Sequence, residues 1–198
     1  MEYQFKKGQP GAPLLILFHG TGGDEYSLLP IANHLMPQAS ILALRGQVNE
    51  NGALRFFKRH AEGQFDKVDL DKKGEAIQDW LIQFGKNMGF PLESMILVGF
   101  SNGANMALHL LKQNQSPFKK AILFAPMYPL PFTVAKEKEA QSIFLSMGTN
   151  DLLVSLEESH RVQNLFAQKG ANIETFWVSK HEINYAVLEA AKRWLEKQ

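Results

Sequence analysis

The stretch that most constrains the fold is Met95-Ile96-Leu97-Val98-Gly99-Phe100-Ser101-Asn102-Gly103-Ala104, an apolar run that stops in Gly-x-Ser-x-Gly and opens into a helix-like sequence. A serine with glycine two positions before and two after suits a sharp strand-to-helix turn, where neighbouring residues must lack bulk. Such a turn lifts the Ser101 hydroxyl above a sheet. It also leaves the amide of Asn102 free at a helix N-terminus, where it can donate to a developing oxyanion. A small residue in an ordinary tight turn is the plainer reading, and the five-residue pattern alone does not separate the two. The surrounding chain has to decide.

Leu14-Leu15-Ile16-Leu17-Phe18 is continuously apolar, as a strand covered on both faces should be, and it ends in His19-Gly20-Thr21-Gly22-Gly23-Asp24. A helix is expected next, capped by Ser27, with Pro30 in its first turn and Leu28, Ile31, Ala32 and Leu35 on one face until Pro37. A strand over 41–44 leads to Arg45-Gly46. Residues 45–70 then show neither period and read as a loop too long for a plain connector, the kind that lines a site. Ile77, Trp80, Leu81, Phe84 and Met88 have helical spacing closed by Gly89, and Ala104, Ala107, Leu108 and Leu111 line another helix. Further strands are expected over 121–124, 143–147 and, at an edge, 173–178. Pro126 to Phe132 is a stiff segment that either walls a pocket or forms a surface loop, so any lid there is small. Ser155 with Glu158 makes a capping box, Gly170 ends that helix, and Ile183, Val187, Ala190, Ala191 and Trp194 mark the last one.

This recurrent strand-loop-helix order implies a single α/β domain over residues 1–198, with a mostly parallel twisted sheet, helices on both faces and ligands gathering beyond the carboxyl ends of the strands. A hydrophobic content of 45% suits one core. A net charge of +1 gives no electrostatic footprint for nucleic acid. The N-terminal segment lacks the apolar core of a signal peptide, and no run spans a membrane, which makes the cytoplasm the default expectation. Without cysteine there are no disulfides, thiolate metal sites or thiol nucleophile. The chemistry falls to oxygen and nitrogen.

Four strand-end loops carry His19 to Gly23, Ser101, Asp151 and His181. A serine hydroxyl becomes nucleophilic when a neutral imidazole takes its proton, and the same imidazole later protonates the leaving group. His181 is the candidate base and Asp151 the group that orients it, while the amides of Thr21 and Asn102 are candidate oxyanion donors. Gly20, Gly22 and Gly23 either bring that first loop close to substrate or form a flexible turn. His60 is the rival base, but it precedes the acid and breaks the usual Ser, Asp, His order. His34, His109 and His160 fall in helices and are expected at the solvent or the core edge; His19 is expected to brace its loop. Asp24, Asp66, Asp69, Asp71 and Asp79 follow no late strand. Gly22, Arg55, Phe56, Phe57 and Met127 are candidate substrate-binding residues. Of the two adjacent phenylalanines, one is expected to brace the core while the other faces substrate; Arg55 either binds a substrate oxygen or anchors the loop to an acid such as Glu50.

Together, HGTGGDE, GFSNGA, MGTNDLLV and HEI resemble the carboxylesterase/phospholipase branch of the α/β-hydrolases, which includes acyl-protein thioesterases. Arg45-Gly46, Glu50-Asn51-Gly52, Arg55-Phe56-Phe57 and Glu62-Gly63 further resemble the bacterial carboxylesterases associated with hydroquinone and catechol stress. The resemblance implies a lidless serine esterase with its triad on Ser101, Asp151 and His181, acting on a small-molecule ester without cofactor or metal. One departure is Ser179-Lys180 before the histidine, where many relatives have Gly-Gly. Lysophospholipase or acyl-protein thioesterase activity is the alternative within enzymes, and a catalytically silent binding or sensing protein the alternative outside them. A homodimer is left open.

Overall fold

The apolar runs of the sequence become inner strands of one sheet in the computed structural model, which describes residues 1–132 and 140–198. In chain order the elements are β1 (Tyr3–Lys6), β2 (Leu14–Phe18), α1 (Leu29–Leu35), β3 (Ser40–Leu44), β4 (Val48–Glu50), β5 (Ala53–Arg55), β6 (Arg59–Ala61), β7 (Gln64–Phe65) and α2 (Lys67–Met88). They continue with β8 (Met95–Phe100), α3 (Asn102–Lys112), β9 (Lys120–Phe124), β10 (Ser142–Gly148), α4 (Leu156–Gln168), β11 (Asn172–Val178) and α5 (Tyr185–Leu195). The main sheet has the order β1-β3-β2-β8-β9-β10-β11, antiparallel between β1 and β3 and parallel elsewhere.

Alternation across β2 divides the core. Leu14, Ile16 and Phe18 face a layer with α2, α3 and α4, whereas Leu15 and Leu17 face α1 and α5. Because both faces are covered, every residue of β2 and β3 is buried; β11, at the edge, alternates between exposed and half-buried over its first four residues and is buried only at Val178. The mostly parallel α/β architecture expected from the sequence is therefore present.

Several local expectations need correction. Ser27 does not cap α1. Its hydroxyl donates to Asp24 Oδ1 at 2.9 Å and accepts from the Asp24 amide, closing the turn before the helix, and Leu28 stands at the cap position without a side-chain bond. Residues 45–70 are not a structureless loop: β4 pairs with β5 and β6 with β7. Asn51 and Gly52, with φ of 53° and 91°, supply the two left-handed residues that a tight hairpin turn demands. The long helix starts at Lys67, well before Ile77, with Asp66 accepting from the Asp69 amide. β1 was not expected at all, and it covers the sheet edge by packing Tyr3 and Phe5 on Trp80 and Phe84.

His109 also departs from expectation, being wholly buried between α2 and α3. Gly74 makes room for it, since a Cβ there would lie 2.5 Å from the ring. Its Nδ1 is 3.0 Å from the Tyr128 hydroxyl. Burial pushes the imidazole down to about 4, with Lys112 adding to the shift. A group whose folded value is depressed below its unfolded one contributes fully above about pH 6.5 and loses that contribution as pH falls towards 4, because the unfolded chain then binds more protons. Denaturant unfolding between pH 7 and 4 should show a loss of up to about 1.4 kcal/mol per pH unit in this window. That component is expected to be absent in His109→Gln, and identical pH profiles would contradict the assignment.

Candidate active site

β8 ends at Phe100 and α3 begins at Asn102, so Ser101 alone makes the turn. Its φ of 51° and ψ of −117° lie where side-chain-bearing residues rarely sit, and such strain persists only when the surroundings enforce it. The enforcement is steric. A Cβ at Gly99 would lie 2.7 Å from the backbone of Ala104, and one at Gly103 only 2.0 Å from the Phe18 carbonyl oxygen. The Ser101 amide donates to the Phe124 carbonyl at 2.9 Å, tying the turn to β9.

Parallel pairing continues beyond the strand ends and levels the loops. The Ala125 amide donates to Ser146 at 2.8 Å, Thr149 to Val178 at 2.9 Å and Asn150 to Ser179 at 2.8 Å. Gly148 lets the last two loops touch, because a Cβ there would lie 2.7 Å from the Lys180 carbonyl oxygen and 2.9 Å from Asp151 Cβ. Ser179 and Lys180 thus place the loop through their carbonyls, while their side chains stay exposed.

Three residues meet across these loops. His181 Nε2 is 2.9 Å from Ser101 Oγ, and His181 Nδ1 is 2.7 Å from Asp151 Oδ2. The Asp151 side chain is fully buried, and its other oxygen accepts from the amides of Leu153 at 2.8 Å and Val154 at 3.1 Å. N–H donors therefore satisfy both carboxylate oxygens, which a buried carboxylate requires. With Nδ1–H donating to Asp151, Nε2 is left as an acceptor facing the serine hydroxyl. Phe100 packs against the imidazole with ring centroids 5.2 Å apart. His60 lies exposed on β6, outside this arrangement.

The loop after β2 stands opposite. Its Gly22 amide donates to the Leu54 carbonyl at 2.9 Å and its Gly23 amide to the Gly20 carbonyl at 3.0 Å, whereas the Thr21 amide makes no such backbone bond among the described residues. Arg55 Nη1 donates to Thr21 Oγ1 at 2.7 Å. The Asn102 amide, first in α3, has no intrahelical acceptor. Its side-chain oxygen accepts from the Phe56 amide at 2.8 Å, linking the helix start to the end of the β4-β5 hairpin. His19 Nδ1 donates to the Gly20 carbonyl at 2.7 Å and Nε2 accepts from the Gly46 amide at 2.9 Å. Burial lowers its pKa, so a neutral ring with both nitrogens engaged holds the two loops together.

A narrow cleft, open to solvent, adjoins Ser101 and His181. Of the sequence candidates, Thr21, Arg55, Asn102 and Met127 line it; Gly22 does not. Phe56 and Phe57 correct the expectation that one of them faces substrate. Both are buried, at 2% and 0% exposure, Phe56 against Phe18 and His19 and Phe57 against Phe65. Arg55 has the expected anchor, with Nε 3.3 Å from Glu50. The cleft also takes in Phe65, Asn105, Leu153 and Val154, which sequence reasoning missed. Asn105 was findable, being four residues after Ser101 on a helix, and so on the same face. A hollow of about 330 Å³ between Lys67 and Lys112 is larger but shares no residue with this cleft. Among the described residues no group of three His, Asp or Glu is set to hold a metal, and no helix is long and apolar enough to cross a membrane.

A parallel sheet with a strained serine at a strand-to-helix turn, and with aspartate and histidine delivered by later strand ends, defines the α/β-hydrolase class. The chain belongs to the Phospholipase/Carboxylesterase family, which it matches over residues 5–198, and it is an esterase-type enzyme. It is 37% identical to a carboxylesterase of Bacillus cereus, with a TM-score of 0.95 over 100% of this chain and 94% of that one. It is 34% identical to MhqD of Bacillus subtilis, over 100% of this chain and 98% of that protein. A structure described as YahD with malic acid is 31% identical, with a TM-score of 0.94 over 99% and 98% of the two chains.

Since Phe57 packs in the core, Phe57→Ala is expected to cost about 3–5 kcal/mol of stability in denaturant unfolding. The folded fraction should keep the parent ranking of ester substrates. A stable variant with altered ranking would return Phe57 to the substrate pocket.

Proposed function

We propose that the protein hydrolyses carboxylic esters through an acyl-enzyme intermediate on Ser101, with His181 as general base and acid and Asp151 as its orienting group. The hydrogen-bonded chain from Ser101 Oγ to His181 to the buried Asp151 carboxylate carries this reading. In the first half-reaction, Oγ bonds to the ester carbonyl carbon while its proton passes to His181 Nε2. The amides of Thr21 and Asn102 receive the resulting oxyanion. Collapse breaks the bond to the leaving alcohol, which takes the proton from Nε2. Water then attacks the acyl carbon by the same route, its proton moving through Nε2 to Oγ as the acid departs.

The narrow cleft beside Ser101, lined by polar as well as apolar side chains, supports small acyl groups over the long chains of lysophospholipids or acylated proteins.

Ser101→Ala should fold and lose turnover by on the order of 10⁴-fold. Asp151→Asn keeps an oxygen for the Leu153 and Val154 amides but presents an NH₂ group to His181, forcing the wrong tautomer. It should lose on the order of 10³-fold or more in kcat with little change in unfolding free energy. His60→Ala should remain active. An inactive His60→Ala beside an active His181→Ala would overturn the assignment.

A further inference from the structure

We infer that Arg55 and Asn105 form a hydrogen-bond-donor subsite beside Ser101 that selects esters whose acyl chain carries a second sp² oxygen, a ketone or a carboxylate. The inference rests on the hydrolase reading above and names its substrate class.

Asn105 lies one helical turn beyond Ser101 on α3, on the same face. Its Oδ1 accepts from the Met127 amide at 2.8 Å. Because an N–H can only be met by the oxygen, the amide orientation is fixed and the NH₂ group is turned the other way. The residue is 4% exposed and lines the cleft, and its amide is held in place by the Met127 bond.

Arg55 is 3% exposed and lines the same cleft. Its contacts use Nη1, towards Thr21, and Nε, towards the Phe57 carbonyl at 3.4 Å and Glu50 at 3.3 Å. A guanidinium has five N–H donors, so Nη2 keeps donors to spare. Glu50 is shared between Arg55 and Arg59, and the rim residue Glu62 pairs with Arg59. Water can meet such donors in the open cleft of the free enzyme, and an acyl group that displaces this water must supply the acceptor instead. A purely alkyl acyl chain would leave them unmet, which is the arrangement that discriminates most strongly between substrates. Phe65, Met127 and Val154 supply apolar walls for the short methylene spacer.

The test compares the enzyme on ethyl pentanoate, ethyl 4-oxopentanoate and monoethyl succinate, which share a leaving group and an acyl backbone five heavy atoms long and separate ketone from carboxylate. At least one oxygenated ester should exceed the pentanoate in kcat/KM by about tenfold or more. Asn105→Asp keeps the acceptor for Met127 and replaces the NH₂ group with oxygen, so the preference should fall by about tenfold or reverse, more for succinate than for the ketone. Arg55→Met, read as the same ratio within one variant, should flatten the preference even if overall activity drops. A ratio near one in the parent enzyme, or an unchanged ratio in both variants, would overturn the inference and leave the hydrolase reading standing. No turnover of any ester by the parent would overturn both.

Discussion

The site depends on one backbone conformation, that of Ser101, which points its hydroxyl away from the sheet at φ 51° and ψ −117°. No hydrogen bond of its own side chain caps α3. What holds it is the absence of side chains at Gly99 and Gly103 together with the bond from its amide to Phe124. α3 can approach β2 closely enough for Gly103 to rest on the Phe18 carbonyl, and that approach aims the helix N-terminus at the space above the serine. Strain of this kind costs on the order of 1–3 kcal/mol and is sustained by the packing of a helix that is buried along nearly its whole length.

The β4-β5 hairpin is the second support. It meets the serine turn through Phe56 and Asn102, and the loop after β2 through Leu54 with Gly22, Arg55 with Thr21 and, just before β4, Gly46 with His19. Gly46 permits this closeness, since a Cβ there would lie 2.5 Å from the Arg55 backbone. The residues between β3 and α2 therefore act as a brace that positions both candidate oxyanion donors. Their aromatic pair works in the core while Arg55 reaches the cleft.

Much of this was legible. Continuous apolar runs at 14–18 and 95–98 announced a doubly covered parallel sheet, and the loops that follow strands placed Ser101, Asp151 and His181 in the order that the geometry brings together. The hairpin was legible but missed: Asn51-Gly52 is the strongest short hairpin signal, masked by strands of only three residues, too short to show a period. Burial of both Phe56 and Phe57 was not legible, because adjacent side chains diverge and only tertiary packing covers both directions. His109 escaped for a related reason. α3 is buried along nearly all its length, so no helical period could say which way its histidine faces.

Trapping the acyl-enzyme position tests the central claim most directly. Intact-mass measurement after exposure to a fluorophosphonate, followed by peptide mapping, should show a single adduct on the peptide that carries Ser101, formed more slowly in His181→Ala. An adduct elsewhere, or one that persists in Ser101→Ala, would contradict the account.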